Sequence, residues 1–462
     1  MASPLNLLTK PGGKSTPLTA ISLSKYPEWL AGLEPKMASW LKASAFKADA
    51  GNVCAIPGED GNLSSAVVGL GVGDDPWATG NLSKVLPKGT YRLHECLGAG
   101  PDFPTWAALA WALGGYSFSR YKTEPQSEKA CLEWPAECNV DYVRRAVAGA
   151  ALTRDLVNTP ASDMLPDALE AVARKVAEAH GATVRVVSGE DLITENYPMI
   201  HAVGRASAVA PRLIDFVWGD DSAPKVTLVG KGVCFDSGGL DIKPSSAMAL
   251  MKKDMGGAAT VLGLADMVMS AKLPVRLRVL VPAVENAIAG NAFRPGDILK
   301  TRKGITVEIG NTDAEGRLVL GDALTDAVSE KPALLVDCAT LTGAARSALG
   351  PEIPAMFTND ENLAMDLLAA AQARHDPLWR MPLWSPYRRM IDSKAADINN
   401  AGDSPFAGAI TAALFLKEFA GAAPWIHIDL FAWNPSDRPG RPAGGEAMAQ
   451  RALFDLISTK FK

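Results

Sequence analysis

Two acidic side chains and one basic side chain alternate in the stretch NTDAEGRL, residues 311–318. Asp313 and Glu315 are two positions apart, and Arg317 follows two positions later. In an extended segment, residues two apart project from the same face, so the two carboxylates would repel unless a cation lay between them. An apolar run follows directly, and an unpaired charge beside a core is unfavourable. The pattern therefore indicates a divalent cation held by Asp313 and Glu315.

A simpler interpretation of the same stretch is the start of a helix. Acidic residues are favoured near helix N-termini because the macrodipole is positive there. The run EGRLVLGDALTDA, which begins at Glu315, has the apolar spacing of such a helix. On spacing alone, a cation site and a helix start are equally supported, so both interpretations stay open.

Two further loops carry polar residues of a similar kind. They are GKGVCFDSGGLDIK (230–243), with Lys231, Asp236 and Lys243, and MALMKKDMGGAA (248–259), with Asp254. Taken alone, Asp254 is better explained as a helix cap, and Asp236 as a turn residue that bonds its own backbone. Lys231 is harder to explain in this way, because it follows a buried strand and lysine is rarely buried without a partner. The stretch also lacks the GxxxxGK[ST] spacing of a phosphate-binding loop.

Together, these residues match the charge of a pair of divalent cations. The acidic members carry four negative charges: Asp236, Asp254, Asp313 and Glu315. Two divalent cations balance them if Lys231 binds as a neutral amine, since a metal depresses the pKa of a lysine that coordinates it. Two such cations activate a water and polarise a carbonyl, which is the chemistry of hydrolysis. Lys243 and Arg317 remain as charged groups that are not ligands and would stabilise an oxyanion or hold a proton acceptor.

The elements around these loops alternate between strand and helix. Buried strands are predicted at KVTLVG (225–230), VRLRVLVPAV (275–284), ALLVDCATL (333–341) and WIHIDLFAW (425–433). Helices are predicted between them, at 256–271, 317–330, 361–373 and 407–420. Such alternation predicts an α/β domain with a mostly parallel sheet flanked by helices. Ligands bind these sheets at the carboxyl ends of the strands, and the polar loops follow strands in this way.

The first part of the chain is organised differently. Residues 1–140 mix short apolar strands with turns rich in Gly and Pro and with a predicted helix near 105–115. Helical spacing across 141–158 leads into the second part. We therefore predict a smaller N-terminal α/β domain, residues 1–150, and a larger C-terminal catalytic domain, residues 151–462.

Composition and charge exclude several classes of protein. The formal net charge of the 462 residues is −5, so bulk electrostatics do not favour a nucleic-acid or membrane surface. We expect no membrane-spanning segment and no signal peptide, because the chain lacks an apolar stretch of sufficient length and the first thirty residues lack a continuous apolar core. The six cysteines are irregularly spaced, which is typical of reduced thiols in a cytoplasmic protein.

The polar loops closely resemble the cytosolic leucyl aminopeptidase family of two-metal peptidases. The resemblance is carried by LVGKGVCFDSGGLDIKPSSAMALMKKDMGGAA and NTDAEGRLVLGDAL, and by the shorter stretches TRDLVNTP (153–160), NAFRPGDI (291–298) and ATLTGA (339–344). It covers roughly residues 150–435. It implies that Asp236 and Glu315 bridge two metals. It also implies that Lys231 and Asp254 complete a looser site, and that Asp313 completes a tighter one.

The resemblance also implies roles for residues that are not metal ligands. Lys243 would polarise the scissile carbonyl and stabilise the gem-diolate, and Arg317 would hold a bicarbonate ion that shuttles a proton. The residues implied for the substrate pocket are Met251, Thr340, Leu341 and Gly343. The expected cofactors are two divalent ions, manganese or zinc with magnesium as a third choice, and the expected substrates are peptides with a free N-terminus. The expected assembly is a homohexamer, a dimer of trimers.

Two regions depart from the family pattern. The fold of residues 1–140 is assigned only by analogy, as a macro-like domain. The segment 425–453 is more similar to the bacterial peptidase B-like branch, so the family name does not fix the preferred first residue. Within it, His427 and Asp429 are two residues apart on a predicted strand, and we expect a hydrogen-bonded pair in the core.

The leading interpretation is a metal-dependent aminopeptidase, and three alternatives are less well supported. A two-metal phosphoesterase is disfavoured, because such sites usually include histidines. A DNA-binding or other non-catalytic role of the same fold is disfavoured by the acidic net charge and by the lack of a basic patch with interleaved aromatic residues. An inactive relative is disfavoured because all seven expected charged residues are present.

Overall fold

The computed structural model describes residues 3–73, 75–124, 127–402 and 404–462. The chain divides into two compact units, Met1–Ala151 with Asn434–Ala443, and Leu152–Trp433 with Gly444–Lys462. The division falls inside the helix Val140–Asn158. The segment Asn434–Ala443, which the sequence placed in the second domain, groups with the first unit.

The first unit contains a six-stranded sheet. Its spatial order is Leu8–Thr9, Cys131–Glu133, Thr90–Leu97, Thr16–Ile21, Leu63–Gly69 and Val53–Pro57. Neighbouring strands are parallel except for the last two, which are antiparallel. The helix Phe103–Gly114 is buried over nearly its whole length, because its sequence is almost entirely apolar. The unit is therefore an α/β unit with its own core.

The second unit contains a nine-stranded sheet. Eight strands lie in the order Trp379–Arg380, Ala355–Thr358, Trp425–Asp429, Leu334–Ala339, Lys225–Gly230, Arg276–Asn286, Arg212–Trp218 and Thr183–Ser188, and Gly232–Asp236 also pairs with Arg276–Asn286. The four central strands are parallel to one another, and antiparallel strands flank them on both sides. The central strands are almost wholly buried, since helices cover both faces of such a sheet.

The remaining elements connect and cover these sheets. The α-helices are Tyr26–Ala31, Pro35–Ala43, Leu82–Val85, Phe103–Gly114, Val140–Asn158, Pro166–Ala179, Asp191–Thr194, Pro198–Gly204, Ser245–Met248, Gly256–Ser270, Gly316–Ser329, Gly343–Leu349, Glu361–Ala373, Gly408–Ala420 and Gln450–Lys460. Short 3-10 helices cover Pro4–Leu7, Ala161–Asp163, Met251–Met255 and Ser385–Ile391, and short strands cover Ile298–Lys300, Thr306–Glu308, Ile398–Asn399, Trp433–Asn434 and Gly444–Gly445. None of the helices in the described part of the chain combines the length and the apolar character that a membrane crossing requires.

The packing of helix against sheet in the second unit depends on small residues. Gly257 lies in the first turn of Gly256–Ser270, and a Cβ there would lie 2.1 Å from the carbonyl oxygen of Cys338. A Cβ on Gly230 would lie 2.6 Å from the Cα of Ala258. These glycines let the helix approach the carboxyl ends of two central strands, which places its N-terminus at the site described below.

The predicted fold class is confirmed. The predicted strand 425–433 ends earlier, at Asp429, and Ala432 has a left-handed φ of 55° that an extended strand does not allow. The chain therefore turns after Asp429 and directs the following residues over the carboxyl edge of the sheet.

Candidate metal centre

The candidate residues lie where the central strands of the second unit end. Lys231 follows Lys225–Gly230 directly, and its backbone N–H donates to the carbonyl of Cys338 in the neighbouring strand. Thr340 follows Leu334–Ala339, also at a carboxyl end. The parallel register therefore brings residues more than a hundred positions apart to one edge of the sheet, as expected for an α/β fold.

Lys231 is buried among oxygen atoms. Its Nζ lies 2.7 Å from Asp254 Oδ2 and 2.9 Å from Glu315 Oε1, and it donates to the carbonyl of Thr340 at 2.9 Å. The side chains of all three charged residues are at most 3% exposed. The hydrogen bond to Thr340 links Lys231 to the loop after a second strand, and no motif in the sequence predicts it.

Lys243 lies beside the other two carboxylates. Its Nζ is 2.8 Å from Asp236 Oδ2 and forms a second ion pair with Asp313. The other oxygen of Asp236, Oδ1, accepts from the backbone N–H of Gly238 and from Asn286 Nδ2, both at 2.9 Å. One carboxylate oxygen of Asp236 is thus fixed by the protein, and the other faces the cluster.

The cluster fits a divalent cation. Asp236, Asp313 and Glu315 each offer a carboxylate oxygen, and these oxygens lie within 4.8 Å of one another. Three shielded oxygens have no polar partner within the described chain other than a lysine: Asp254 Oδ2, Asp313 Oδ1 and Glu315 Oε1. The four carboxylates of the cluster are paired with only two lysines, so a net negative charge remains that a cation would offset. Carboxylates together with an amine suit hard or borderline ions.

The pKa values reflect the crowding of like charges. Burial and the nearby charge of Asp236 raise the pKa of Glu315 to about 8 and that of Asp313 to about 6. Burial lowers the pKa of Lys231, but the carboxylates around it outweigh this effect and raise the pKa above its ordinary value. A neutral Lys231 amine therefore requires a metal ion, because the carboxylates alone favour the ammonium form.

The structure bears on the simpler interpretations of the acidic residues. Glu315 occupies the N-cap position of Gly316–Ser329, but its side chain makes no capping hydrogen bond. Asp254 lies in the turn before Gly256–Ser270 and bonds Thr340 Oγ1 at 2.8 Å instead of capping that helix. Asp236 does form the expected turn with Gly238 and also faces the cluster.

Arg317 is nearly buried and lies apart from the carboxylates. Its Nη1 donates to the carbonyl of Asn400 at 2.7 Å, and its Nε has no hydrogen-bond partner among the described residues. Burial lowers the pKa of Arg317 to about 10, although Glu315 and Asp429 oppose this effect. At neutral pH the guanidinium remains charged, and its Nε–H is a buried donor without a partner among the described residues.

A cavity of about 440 Å³ opens beside the cluster. The substrate-pocket candidates that line it are Met251, Thr340, Leu341 and Gly343, and the charged candidates that line it are Lys231, Asp236, Lys243, Asp254, Asp313 and Arg317. Glu315 lies behind this wall, 2.9 Å from Lys231. The structure thus brings all eleven candidates to one region of the second unit.

The expected pairing of His427 with Asp429 is wrong. His427 Nδ1 lies 2.6 Å from Asp337 Oδ1, and Asp337 also accepts from the indole of Trp425 at 2.7 Å. Asp429 instead accepts from the backbone N–H groups of Leu341 and Thr342 at 3.0 and 3.2 Å. Asp429 therefore holds the loop that follows Leu334–Ala339.

Asn400 is a contact residue that sequence reasoning missed. Its Oδ1 accepts from the N–H groups of Gly310 and Asn311, and its Nδ2 donates to the carbonyls of Asn311 and Ala314. It is completely buried. Asn400 therefore ties down the loop that carries Asp313. No spacing signal pointed to it, because it lies more than eighty residues away in the chain.

Two cations in the cavity wall were also missed. Lys253, next to Asp254, and Arg346, three residues after Gly343, both line the cavity. Burial lowers the pKa of Lys253 to about 8, with Asp254 acting in the opposite direction. The signal available in the sequence is the pair of lysines in MKKD, directly before Asp254.

An α/β sheet with acidic residues and lysines around a cavity at its carboxyl edge is the arrangement of a metal-dependent hydrolase. Comparison with known families agrees with this class. Residues 151–454 match the catalytic domain of the cytosol aminopeptidase family, and residues 16–135 match the M17 aminopeptidase N-terminal domain. The chain belongs to the cytosol aminopeptidase family and is a metal-dependent aminopeptidase.

Individual relatives support the same assignment. A probable cytosol aminopeptidase of Roseiflexus castenholzii is 41% identical over 362 residues, which is 75% of this chain and 74% of the relative. Peptidase B of Klebsiella pneumoniae is 40% identical over 367 residues, covering 76% and 84% of the two chains. These relatives are named peptidases, and the comparisons give no support to a non-catalytic or DNA-binding role.

Solved structures share the fold over almost the whole chain. The crystal structure of a cytosol aminopeptidase from Coxiella burnetii has a TM-score of 0.94 and 47% identity, covering 99% of this chain and 100% of that one. The bottromycin maturation enzyme BotP, solved in complex with Mn, has a TM-score of 0.87 and 33% identity, covering 97% and 100%.

Proposed function

We propose that the chain removes the first residue from peptides with a free N-terminus, and that two divalent cations are held by Lys231, Asp236, Asp254, Asp313 and Glu315. The observation that carries this proposal is the cluster of four carboxylates that meet beside the cavity and are paired with only two lysines among the described residues. Divalent cations, when bound, lower the pKa of water and polarise a carbonyl. The remaining steps depend on the residues of the chain.

Manganese and zinc are the proposed ions, with magnesium as a third choice. Oxygen ligands suit manganese and magnesium, and the amine of Lys231 suits borderline ions such as zinc. The relative BotP was solved in complex with Mn, which supports manganese for this chain. In this proposal, Asp236 and Glu315 would contribute to both sites. Asp254 and Lys231 would help to hold one ion, and Asp313 would help to hold the other.

Lys243 and Arg317 act on the reacting groups in this proposal. The ammonium of Lys243 lies 2.8 Å from Asp236 Oδ2, so it borders the cluster and can stabilise negative charge on the scissile carbonyl oxygen. Arg317 would hold a bicarbonate ion, which when bound would supply a proton acceptor for the attacking water. Its Nε has no hydrogen-bond partner among the residues that the structure describes, and this supports anion binding.

The substrate is positioned by the cavity wall. We assign the first side chain of the peptide to the region of Met251, Thr340 and Gly343, with the Leu341 backbone near the scissile bond, because all four residues line the cavity. We further propose that the protein is a cytoplasmic homohexamer, a dimer of trimers. Relatives that are named cytosol aminopeptidases support the cytoplasmic location. Sedimentation velocity tests the hexameric assembly directly.

Chelation and two variants test the proposal. Treatment with a strong chelator should abolish hydrolysis of an aminoacyl-coumarin substrate, and Mn²⁺ or Zn²⁺ should restore it. Asp313→Ala and Lys243→Ala should both lower kcat by at least about 100-fold, but only Asp313→Ala should reduce the metal content below about two ions per chain. Full activity after exhaustive chelation, or a normal metal content in Asp313→Ala, would contradict the proposal.

A further inference from the structure

Asn286 is a completely buried asparagine beside the candidate metal centre. It is the last residue of the strand Arg276–Asn286 and pairs with Asp236, the last residue of Gly232–Asp236. The pairing of these two strands shifts register between Val233 and Asp236, which sets Asn286 opposite the aspartate. Because the strands are parallel, both residues lie at the carboxyl edge of the sheet, where ligands bind.

The side-chain amide of Asn286 joins two loops that carry candidate metal ligands. Its Nδ2 donates to Asp236 Oδ1 at 2.9 Å and to the backbone carbonyl of Thr312 at 3.1 Å. Thr312 directly precedes Asp313, and its hydroxyl donates to the carbonyl of Gly238 at 2.6 Å. One nitrogen atom therefore links the Asp236 carboxylate to the loop that carries Asp313.

The orientation of this amide is defined by its neighbours. Both groups at the nitrogen are hydrogen-bond acceptors, so the NH₂ end of the amide faces them. The Oδ1 atom of Asn286 is shielded and makes no hydrogen bond among the described residues. A Cβ built on Gly239 would lie 2.9 Å from this oxygen, so the loop packs closely against it. A buried acceptor without a donor lowers stability, and the benefit of asparagine at this position is therefore its pair of donors.

The amide holds Asp236 without adding charge. The four carboxylates of the cluster are paired with only two lysines. A third cationic side chain would offset more of the negative charge that attracts a metal ion, whereas a neutral amide does not. Asp236 Oδ1 also accepts from the backbone N–H of Gly238, so Oδ2 is the oxygen that faces the cluster.

We propose that Asn286 is a positioning residue for metal binding: its amide holds Asp236 so that Oδ2 is available to a metal ion, and it keeps Asp236 in place relative to the loop of Asp313. This inference rests on the proposed function, because it takes Asp236 and Asp313 to be metal ligands. Groups that orient a ligating carboxylate change metal affinity by about 10- to 100-fold. Loss of the amide should therefore weaken metal binding even where the fold is retained.

Equilibrium binding of Mn²⁺ tests this role without a measurement of turnover. Metal-free wild type and Asn286→Leu are titrated with Mn²⁺, and the free ion is measured by electron paramagnetic resonance. Leucine has as many side-chain heavy atoms as asparagine but no donor. We expect the Kd for Mn²⁺ to rise about 10- to 100-fold in the variant. The Mn²⁺ concentration that gives half-maximal hydrolysis of an aminoacyl-coumarin substrate should rise by a similar factor.

Two further variants and one stability measurement complete the experiment. Asn286→Ala removes the donors without adding a branched side chain, and it should weaken Mn²⁺ binding by a similar factor. Asn291→Leu is the matched control, because Asn291 is exposed after the same strand and its amide donates to the carbonyl of Arg205. Its Kd should equal that of the wild type. Urea unfolding of each metal-free protein measures the contribution of packing separately from metal binding.

The outcomes separate this inference from the proposed function. Wild-type affinity for Mn²⁺ in folded Asn286→Leu and Asn286→Ala would overturn the inference and leave the proposed function intact. A lower unfolding free energy without weaker Mn²⁺ binding would likewise overturn it, since Asn286 would then only pack the core. Equal weakening in Asn291→Leu would show that the amide contacts of Asn286 are not the cause. A wild-type protein that binds no Mn²⁺ would overturn the proposed function and this inference together.

Discussion

Removal of the Asp429 carboxylate should both destabilise the second unit and impair catalysis. Asp429 accepts from Leu341 N at 3.0 Å, from Thr342 N at 3.2 Å and from Thr342 Oγ1 at 2.6 Å. Three hydrogen bonds at about 1 kcal/mol each suggest that Asp429→Ala lowers the free energy of unfolding by about 3 kcal/mol. The same loop carries Thr340, which bonds both Lys231 and Asp254. Removal of the Asp429 carboxylate should therefore also displace residues of the candidate metal centre.

The effect on activity follows from the position of Thr340. A misplacement of about 1 Å in a catalytic site costs on the order of 100-fold in rate, so kcat/KM of Asp429→Ala should fall by at least about tenfold. Urea unfolding followed by circular dichroism measures stability, and hydrolysis of an aminoacyl-coumarin substrate measures activity. Asp429→Asn is the control. It retains one oxygen acceptor for the two backbone N–H groups, so both losses should be less than half as large.

This reasoning would be refuted by an Asp429→Ala protein whose unfolding free energy and kcat/KM both match the wild type. A stability loss of equal size in Asp429→Asn and Asp429→Ala would also contradict it. That result would mean that the charge of Asp429 matters and its acceptor geometry does not.

Two further predictions concern packing and pH. Gly257→Ala should destabilise the protein by about 1–3 kcal/mol, because its Cβ would lie 2.1 Å from a strand carbonyl oxygen, whereas Gly290→Ala, with no atom within 4 Å, should have little effect in urea unfolding. Burial lowers the pKa of His427, but Asp337 outweighs burial and raises it above 6.5. The resulting stability is present below that value and is lost as pH rises through the folded pKa. The difference in unfolding free energy between wild type and Asp337→Asn should therefore narrow as the pH rises above about 6.5, and a constant difference would contradict this explanation.

The sequence allowed the catalytic half of the fold to be predicted because its signals are local. Helices with strong apolar spacing, such as Gly256–Ser270 and Gly316–Ser329, and fully buried strands, such as Lys225–Gly230, were found within a few residues of their bounds. Parallel sheets place their ligand sites at the carboxyl ends of strands, so polar loops after these strands could be grouped before any distance was known.

Contacts set by register could not be predicted in the same way. His427 was interpreted with Asp429, its neighbour along the strand, but in the parallel sheet His427 lies beside Asp337 of the next strand. The edge strand Thr183–Ser188 and its neighbour Arg212–Trp218 are not predicted from the sequence. Their antiparallel pairing is defined only by partners that lie elsewhere in the chain.

The site residues show the same difference between local sequence signals and long-range contacts. The charged candidates were recognised by type and spacing, whereas Asn286 and Asn400 act through uncharged amides on partners up to ninety residues away. Lys253 could not be recognised from the sequence, because a sequence does not show that this lysine is buried and forms no ion pair among the described residues.

The hydrogen bonds of Asn400 have a consequence for transferring the NTDAEGRL motif to other proteins. The side-chain amide of Asn400 bonds this loop through both its oxygen and its nitrogen. The backbone carbonyl of Asn400 also accepts a hydrogen bond from Arg317. The conformation of these eight residues therefore depends on a residue that lies outside the motif. Grafting the motif onto another protein would transfer its functional groups but not the residue that positions them. The remote asparagine would have to be transferred as well.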